Sequence, residues 1–185
     1  MKSMTQTLNL APGSPNGYDP AYPAPPRVHW IALVVVWWAC TWLIGTYAPL
    51  GYQQLLVSLI TDAWAFYLCC WIRSINAEAK SPFWCDVYVI VELTFATLGA
   101  WRNPPKIMDA FIAILGFASA ILAIATIFLI KRDLEKHYNE REPVGLVLNG
   151  LMTFFFSFLY FQSHLYRIAK EKQAQSLADL GPSLP

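Results

Sequence analysis

The chain is short of charge where a soluble surface would need it. Between His29 and Ile72 a single side chain, Asp62, is formally charged. Charged residues make up 14% of the 185 residues and hydrophobic ones 56%, against about a quarter charged in an ordinary globular domain. A soluble domain is excluded on that balance. The net charge of +1 lacks the basic excess that a nucleic-acid partner calls for. The four cysteines, Cys40, Cys69, Cys70 and Cys85, lie inside hydrophobic stretches with no second Cys or His pair. A zinc site has no support, and they read as small apolar packing residues.

Catalytic signatures are scarce as well. The sequence has no Gly-rich phosphate loop, no H-E-x-x-H and no G-x-S-x-G, so it points to no catalytic residue, metal or cofactor. The first 28 residues lack the basic n-region and immediate apolar run of a signal peptide. They include LAPGSPNGYDPAYPAPP, which reads as a disordered Pro-rich tail. The first hydrophobic segment is then expected to act as an uncleaved anchor.

What is there is a series of apolar segments, each close to the roughly 20 residues that cross a bilayer as helix. They run over about 30–48, 53–72, 83–101, 107–130 and 144–165. Pro49, Pro104-Pro105 and Pro143 fall between them, where helix continuation is blocked. The expectation is an all-α, polytopic transmembrane bundle over 29–167, with about five spans and four as the alternative. A charged helical connection lies near 131–142, where Lys131 and Glu135 stand one turn apart. A polar C-terminal tail occupies 168–185. Trp30, Trp71, Trp84 and Trp101 fall at segment ends, where amphipathic rings favour the headgroup region.

With five spans, one side carries Lys2, Arg27, Arg73, Lys80, Lys131, Arg132, Lys136 and Arg141. The other carries Arg102, Lys106, Arg167, Lys170 and Lys172. The positive-inside rule leans to a cytoplasmic N-terminus. The basic C-terminal flank pulls against it.

Polar groups at membrane depth are the candidate site. Asp62 and Glu92 fall at the midpoints of the second and third segments, a depth at which antiparallel neighbours meet. Tyr88 shares the Glu92 face, and Ser58 the Asp62 face. An acid in the bilayer needs a partner or a proton, and this pair has no intramembrane Lys or Arg to answer it. The fifth segment adds a stripe of Asn149, Thr153, Ser157, Tyr160 and His164, expected to point into the bundle. For both groups a binding or conducting site and simple interhelical hydrogen bonding stay open. Ala113, Gly116, Ala120 and Ala123 of the fourth segment are expected to form a close-packing seam.

The C-terminal part reads Glu142-Pro143-Val144-Gly145-Leu146, then Met152-Thr153-Phe154-Phe155-Phe156, then Tyr160-Phe161-Gln162-Ser163-His164-Leu165-Tyr166-Arg167-Ile168-Ala169. It resembles a group of uncharacterised bacterial multi-span inner-membrane proteins with an E-P-x-G segment leading into an M-T-F-F-F…Y-F-Q-x-H-x-x-R-I-A helix. Pro25-Pro26-Arg27-Val28-His29-Trp30 and His137-Tyr138-Asn139 match the same group. The likeness covers roughly the last 55 residues and the junction of the tail with the first helix. The midplane acids fall outside it. It implies a bacterial cell membrane and a helical bundle, and brings no activity. Three functions follow: a non-enzymatic protein that binds or scaffolds in the membrane, a small transporter or proton-linked permeation protein using the acids, and a lipid- or quinone-directed enzyme. The partners expected are membrane lipids, with a homo-oligomer or a partner membrane protein open and nucleic acid excluded.

Overall fold

A computed structural model describes residues 22–101, 105–142 and 144–179, and among them all regular structure is helical. The helices are α1 (Trp30–Tyr47), α2 (Leu50–Ile75), α3 (Ser81–Gly99), α4 (Lys106–Lys136) and α5 (Gly150–Asp179), with a π-helical turn, His137–Arg141, closing α4. The first four are long and apolar enough to cross a membrane. Among the described residues four helices thus meet the requirement, the lower of the two expected counts. Residues 1–21, 102–104, 143 and 180–185, which include most of the Pro-rich tail and Pro104, lie outside the described residues.

Local chemistry sets the boundaries. His29 caps α1 by accepting the Ile31 amide on Nδ1 at 3.2 Å, and Pro49 precedes α2. Pro82 sits in the first turn of α3, where its missing N–H costs nothing. The first amides of α3 find their acceptor on another helix. Asp133 Oδ2 of α4 takes the Lys80 and Ser81 N–H groups at 2.9 and 2.8 Å.

Cross-helix contacts fix antiparallel order. Ser58 meets Glu92 and Arg73 meets Asp86 across α2 and α3. Thr126 donates to the Trp84 carbonyl, and Ser119 to Glu92, across α3 and α4. The seam of α4 differs from the expected one. Gly116, Ser119, Ala123 and Thr126 turn toward the bundle, whereas Ala113 and Ala120 are exposed. The Phe95 ring lies so near Gly116 that a Cβ there would stand 2.9 Å from it. The small hydroxyl residues, not alanine alone, make the close face.

Packing is concentrated at one end. Ile72 and Ile75, Cys85, Ile130 and Leu134, and Phe161, Leu165 and Ile168 form one buried cluster there. α1 contributes no buried residue. Its Trp37, Trp38 and Trp42 are exposed, as suits a helix facing acyl chains.

The C-terminal segment departs most from expectation. α5 is two arms, residues 150–156 and 158–179, broken at Ser157 with φ 39° and ψ −117°. Seven residues of helix rise only about 10 Å, too short to cross. The second arm then turns back, since the Tyr160 hydroxyl accepts the Asn149 amide at 3.1 Å. Gln162 Nε2 donates to the Pro26 and Val28 carbonyls at the start of α1, at 2.9 and 2.6 Å. Lys172 pairs with Glu142. The segment 144–165, expected as a fifth span, thus forms a helical hairpin whose arms begin and finish at one end of the bundle.

Two further expectations shift with it. Residues 22–28, the end of the Pro-rich tail, are packed: Pro25 and Pro26 are buried, and Tyr22 meets the His137 ring at 4.9 Å. Residues 168–179 are not a loose polar tail but continue α5.

Two outcomes follow. In a cysteine-free background, Glu78→Cys and Leu177→Cys should label from the same side of sealed vesicles, and Lys106→Cys from the other. A five-span chain would place the first two on opposite sides. Lys172→Met leaves Glu142 buried without its ammonium partner and should destabilise by about 3–5 kcal/mol, seen as a lower melting temperature. Lys172→Met with Glu142→Gln should recover most of the loss.

Candidate functional site

At the midpoint of the bundle three helices bring hydroxyl and carboxyl groups together. Ser58 and Asp62 stand one turn apart on α2, and Tyr88 and Glu92 one turn apart on α3. Because the helices are antiparallel, Ser58 falls opposite Glu92 and Asp62 opposite Tyr88. Ser58 Oγ donates to Glu92 Oε1 at 2.9 Å. Ser119 of α4 donates to the other oxygen, Oε2. Glu92 is therefore held by a hydroxyl from each flanking helix.

Asp62 is different. It is 3% exposed, and the Tyr88 hydroxyl and Glu92 carboxylate are its electrostatic neighbours. The Tyr88 hydroxyl is its hydrogen-bonding partner across α2 and α3. The two acids do share one polar locus, as their positions in the sequence suggested. Ser119 was missed, because one serine in an apolar span looks like ordinary helix packing. Its only sequence signal is its depth, opposite Glu92.

The stripe expected on the fifth segment does not join the acids. Asn149 caps α5, its Oδ1 accepting the Leu151 and Met152 amides at 2.9 and 3.2 Å. Thr153 is buried and donates to the Asn149 carbonyl at 2.8 Å. Ser157 is the break itself. His164 stacks edge-on against Tyr160 at 4.8 Å. The stripe presumes one straight helix, and the break at Ser157 divides it between two arms. These residues shape the hairpin.

The hairpin tip defines a second feature. A cleft of about 570 Å³ lies between Leu33–Trp37 of α1, Ile60–Trp64 of α2 and Phe155–Leu159 at the bend. Its lining is largely apolar and aromatic. Trp64 also brings an indole N–H that is buried with no described acceptor. Backbone that leaves helical geometry within a bilayer is tolerated where protein or a cavity surrounds it, and Ser157 lies at this cleft.

Two other clusters complete the polar inventory. His137 Nε2 is 3.6 Å from Glu142 Oε2 at the packed end, beside the Glu142–Lys172 pair. Cys69 and Cys85 bring their thiols into contact across α2 and α3. Both are buried, as packing residues would be. No group of three or more His, Cys, Asp and Glu side chains suited to a metal ion occurs among the described residues.

Removing one hydroxyl tests the Glu92 clamp. Ser119→Ala leaves a carboxylate oxygen without its donor and should cost about 1–3 kcal/mol, measured by thermal melting in detergent. Glu92→Leu together with Ser119→Ala should cost less than the two single losses added.

No family model, curated protein or solved structure matches the chain.

Proposed function

We propose that the protein is a non-enzymatic membrane protein that binds a lipid, taking its hydrocarbon chain into the cleft between α1, α2 and the α5 bend. The cleft is the observation that carries this reading. Its volume of about 570 Å³ falls in the ordinary range for small-ligand sites, about 300–1,000 Å³. Trp37, Trp64, Phe155, Phe156 and Phe158 offer flat apolar surface at the depth of acyl chains. The broken backbone at Ser157 adds polar groups at its wall. The fitting occupant is therefore an amphiphile with an apolar tail.

Orientation follows from the hairpin. With the C-terminal arm returned to the N-terminal end, Arg27, Arg73, Lys80, Lys131, Arg132, Lys136, Arg141, Arg167, Lys170 and Lys172 share one side, and among the described Lys and Arg residues only Lys106 stands on the other. The positive-inside rule then supports a cytoplasmic location for the end of the bundle where α1 begins and α5 finishes. A bacterial inner membrane is the setting that the sequence resemblance supports.

A second reading, proton- or cation-linked permeation, is favoured by the Asp62–Glu92 locus, because both acids lie within the bundle. A lipid- or quinone-directed enzyme draws no comparable support. His164 has an aromatic neighbour in Tyr160, and its Nδ1 lacks a hydrogen-bond partner among the described residues.

Native mass spectrometry of protein extracted with its surrounding lipid tests the cleft. The wild type should retain lipid through detergent exchange, and Ala63→Trp, which fills the cleft, should retain severalfold less. Equal retention by the folded variant would overturn the assignment. Measured in the same spectra, oligomeric state and any retained membrane-protein partner address the scaffold form of the reading.

A further inference from the structure

The walls of the cleft lead up to two cations that no acid answers. At the packed end Arg73, Lys131, Arg132, Arg141, Arg167 and Lys172 each lie against an Asp or Glu. Arg27 and Lys170 are exposed, and neither pairs with an acid among the described residues. Their own segments offer none: no Asp or Glu occurs between Tyr22 and Thr61 or between Gly150 and Lys170. Each cation stands at the top of a segment that lines the cleft, Arg27 just before α1 and Lys170 on the second arm of α5.

Their height above the cleft matches a lipid. Leu159 lines the cleft, and Ser163, Tyr166 and Lys170 follow it on the same face of the arm, by helical periodicity. From Leu159 to Lys170 the helix rises about 16 Å, close to half of the hydrocarbon core at about 15 Å. The cleft therefore lies among acyl chains when Lys170 lies among phosphates. On the other wall Leu33 lines the cleft, and His29 caps α1 one turn above it. The His29 ring meets Tyr166 at 5.0 Å, which joins the two walls one turn below Lys170. Arg27 lies between Pro26 and Val28, whose carbonyls Gln162 holds. His29 accepts the Ile31 amide on Nδ1, so Nε2 of the exposed ring carries the proton and donates. Trp30, exposed beside it, suits the headgroup level.

We infer that the lipid held in the cleft is an anionic phospholipid, with its phosphate bound by Arg27, His29 and Lys170. The inference rests on the lipid reading of the cleft and adds the class of headgroup. Charge complementarity selects that class. The ammonium of a zwitterionic headgroup would find no carboxylate on either wall, whereas a net negative headgroup meets two unpaired cations and a neutral donor. Each Lys or Arg near an anionic lipid surface contributes about fivefold in affinity.

The test is native mass spectrometry of the full-length chain in detergent micelles holding equal amounts of phosphatidylglycerol and phosphatidylcholine with the same acyl chains. The wild type should retain phosphatidylglycerol over phosphatidylcholine by at least about fivefold. Arg27→Gln with Lys170→Gln should bring the two lipids close to equal retention, and each single change should fall between. Lys80→Gln with Lys136→Gln removes the same charge from the same end, away from the cleft, and should keep the preference. Ala63→Trp should lower retention of both lipids, and millimolar inorganic phosphate should displace neither. Equal wild-type retention of the two lipids would overturn the headgroup assignment and leave the cleft as a lipid site. Retention of neither would overturn both. The assignment also fails if the Lys80 and Lys136 changes erase the preference, if Ala63→Trp leaves phosphatidylglycerol retention intact, or if free phosphate displaces the lipid.

Discussion

A helix that begins at the packed end of a bundle brings amide N–H groups that nothing in its own turn can accept. α3 meets that constraint through Asp133, a side chain of α4 that takes the Lys80 and Ser81 amides. The contact fixes where α3 starts relative to the end of α4, and it sets the register of everything below. Thr126 then falls opposite the Trp84 carbonyl, and Ser119 opposite Glu92. In lipid, apolar side chains gain little by leaving one hydrocarbon surface for another, so helices associate through close packing and hydrogen bonds. The polar ties of this chain supply what a hydrophobic core supplies in water.

The division of labour between the two ends follows from that. At the packed end Asp133, His137, Glu142 and Gln162 are all buried, each close to a partner on another segment. Toward the opposite end the side chains of α1 face outward. The cleft and the oxygen-rich locus lie between these regimes, close enough to the rigid end to be held and far enough from it to leave space.

The sequence disclosed its apolar segments readily, because length and hydropathy report directly on spanning capacity. It also placed Asp62 and Glu92 at one depth, since helical rise is regular and both lie near the middle of their segments. The α5 hairpin was not legible. Residues 144–165 carry no Asp, Glu, Lys or Arg, and hydropathy is blind to a single reversal at Ser157. The polar stripe from Asn149 to His164 misled for the same reason, as a 3.6-residue period has meaning only along an unbroken helix. Ser119 and the true seam of α4 were hidden because alanine and serine are similar in size. Which face turned inward was decided by the partner, Phe95 against Gly116 and Glu92 against Ser119.

The Gln162 amide bears on how the molecule is assembled. Its acceptors, the Pro26 and Val28 carbonyls, lie 136 and 134 residues earlier in the chain. Neighbouring spans can pair as they emerge, through contacts between adjacent segments. The hairpin has no such option. Its first arm is too short to insert as a span, and its binding surface is built in part from residues 26–28, just before α1. It therefore docks after synthesis has passed the fourth helix, joining the second arm of α5 to the start of α1. The C-terminal arm is the closing step of biogenesis, and a chain truncated before it would enter the membrane with its first junction uncovered.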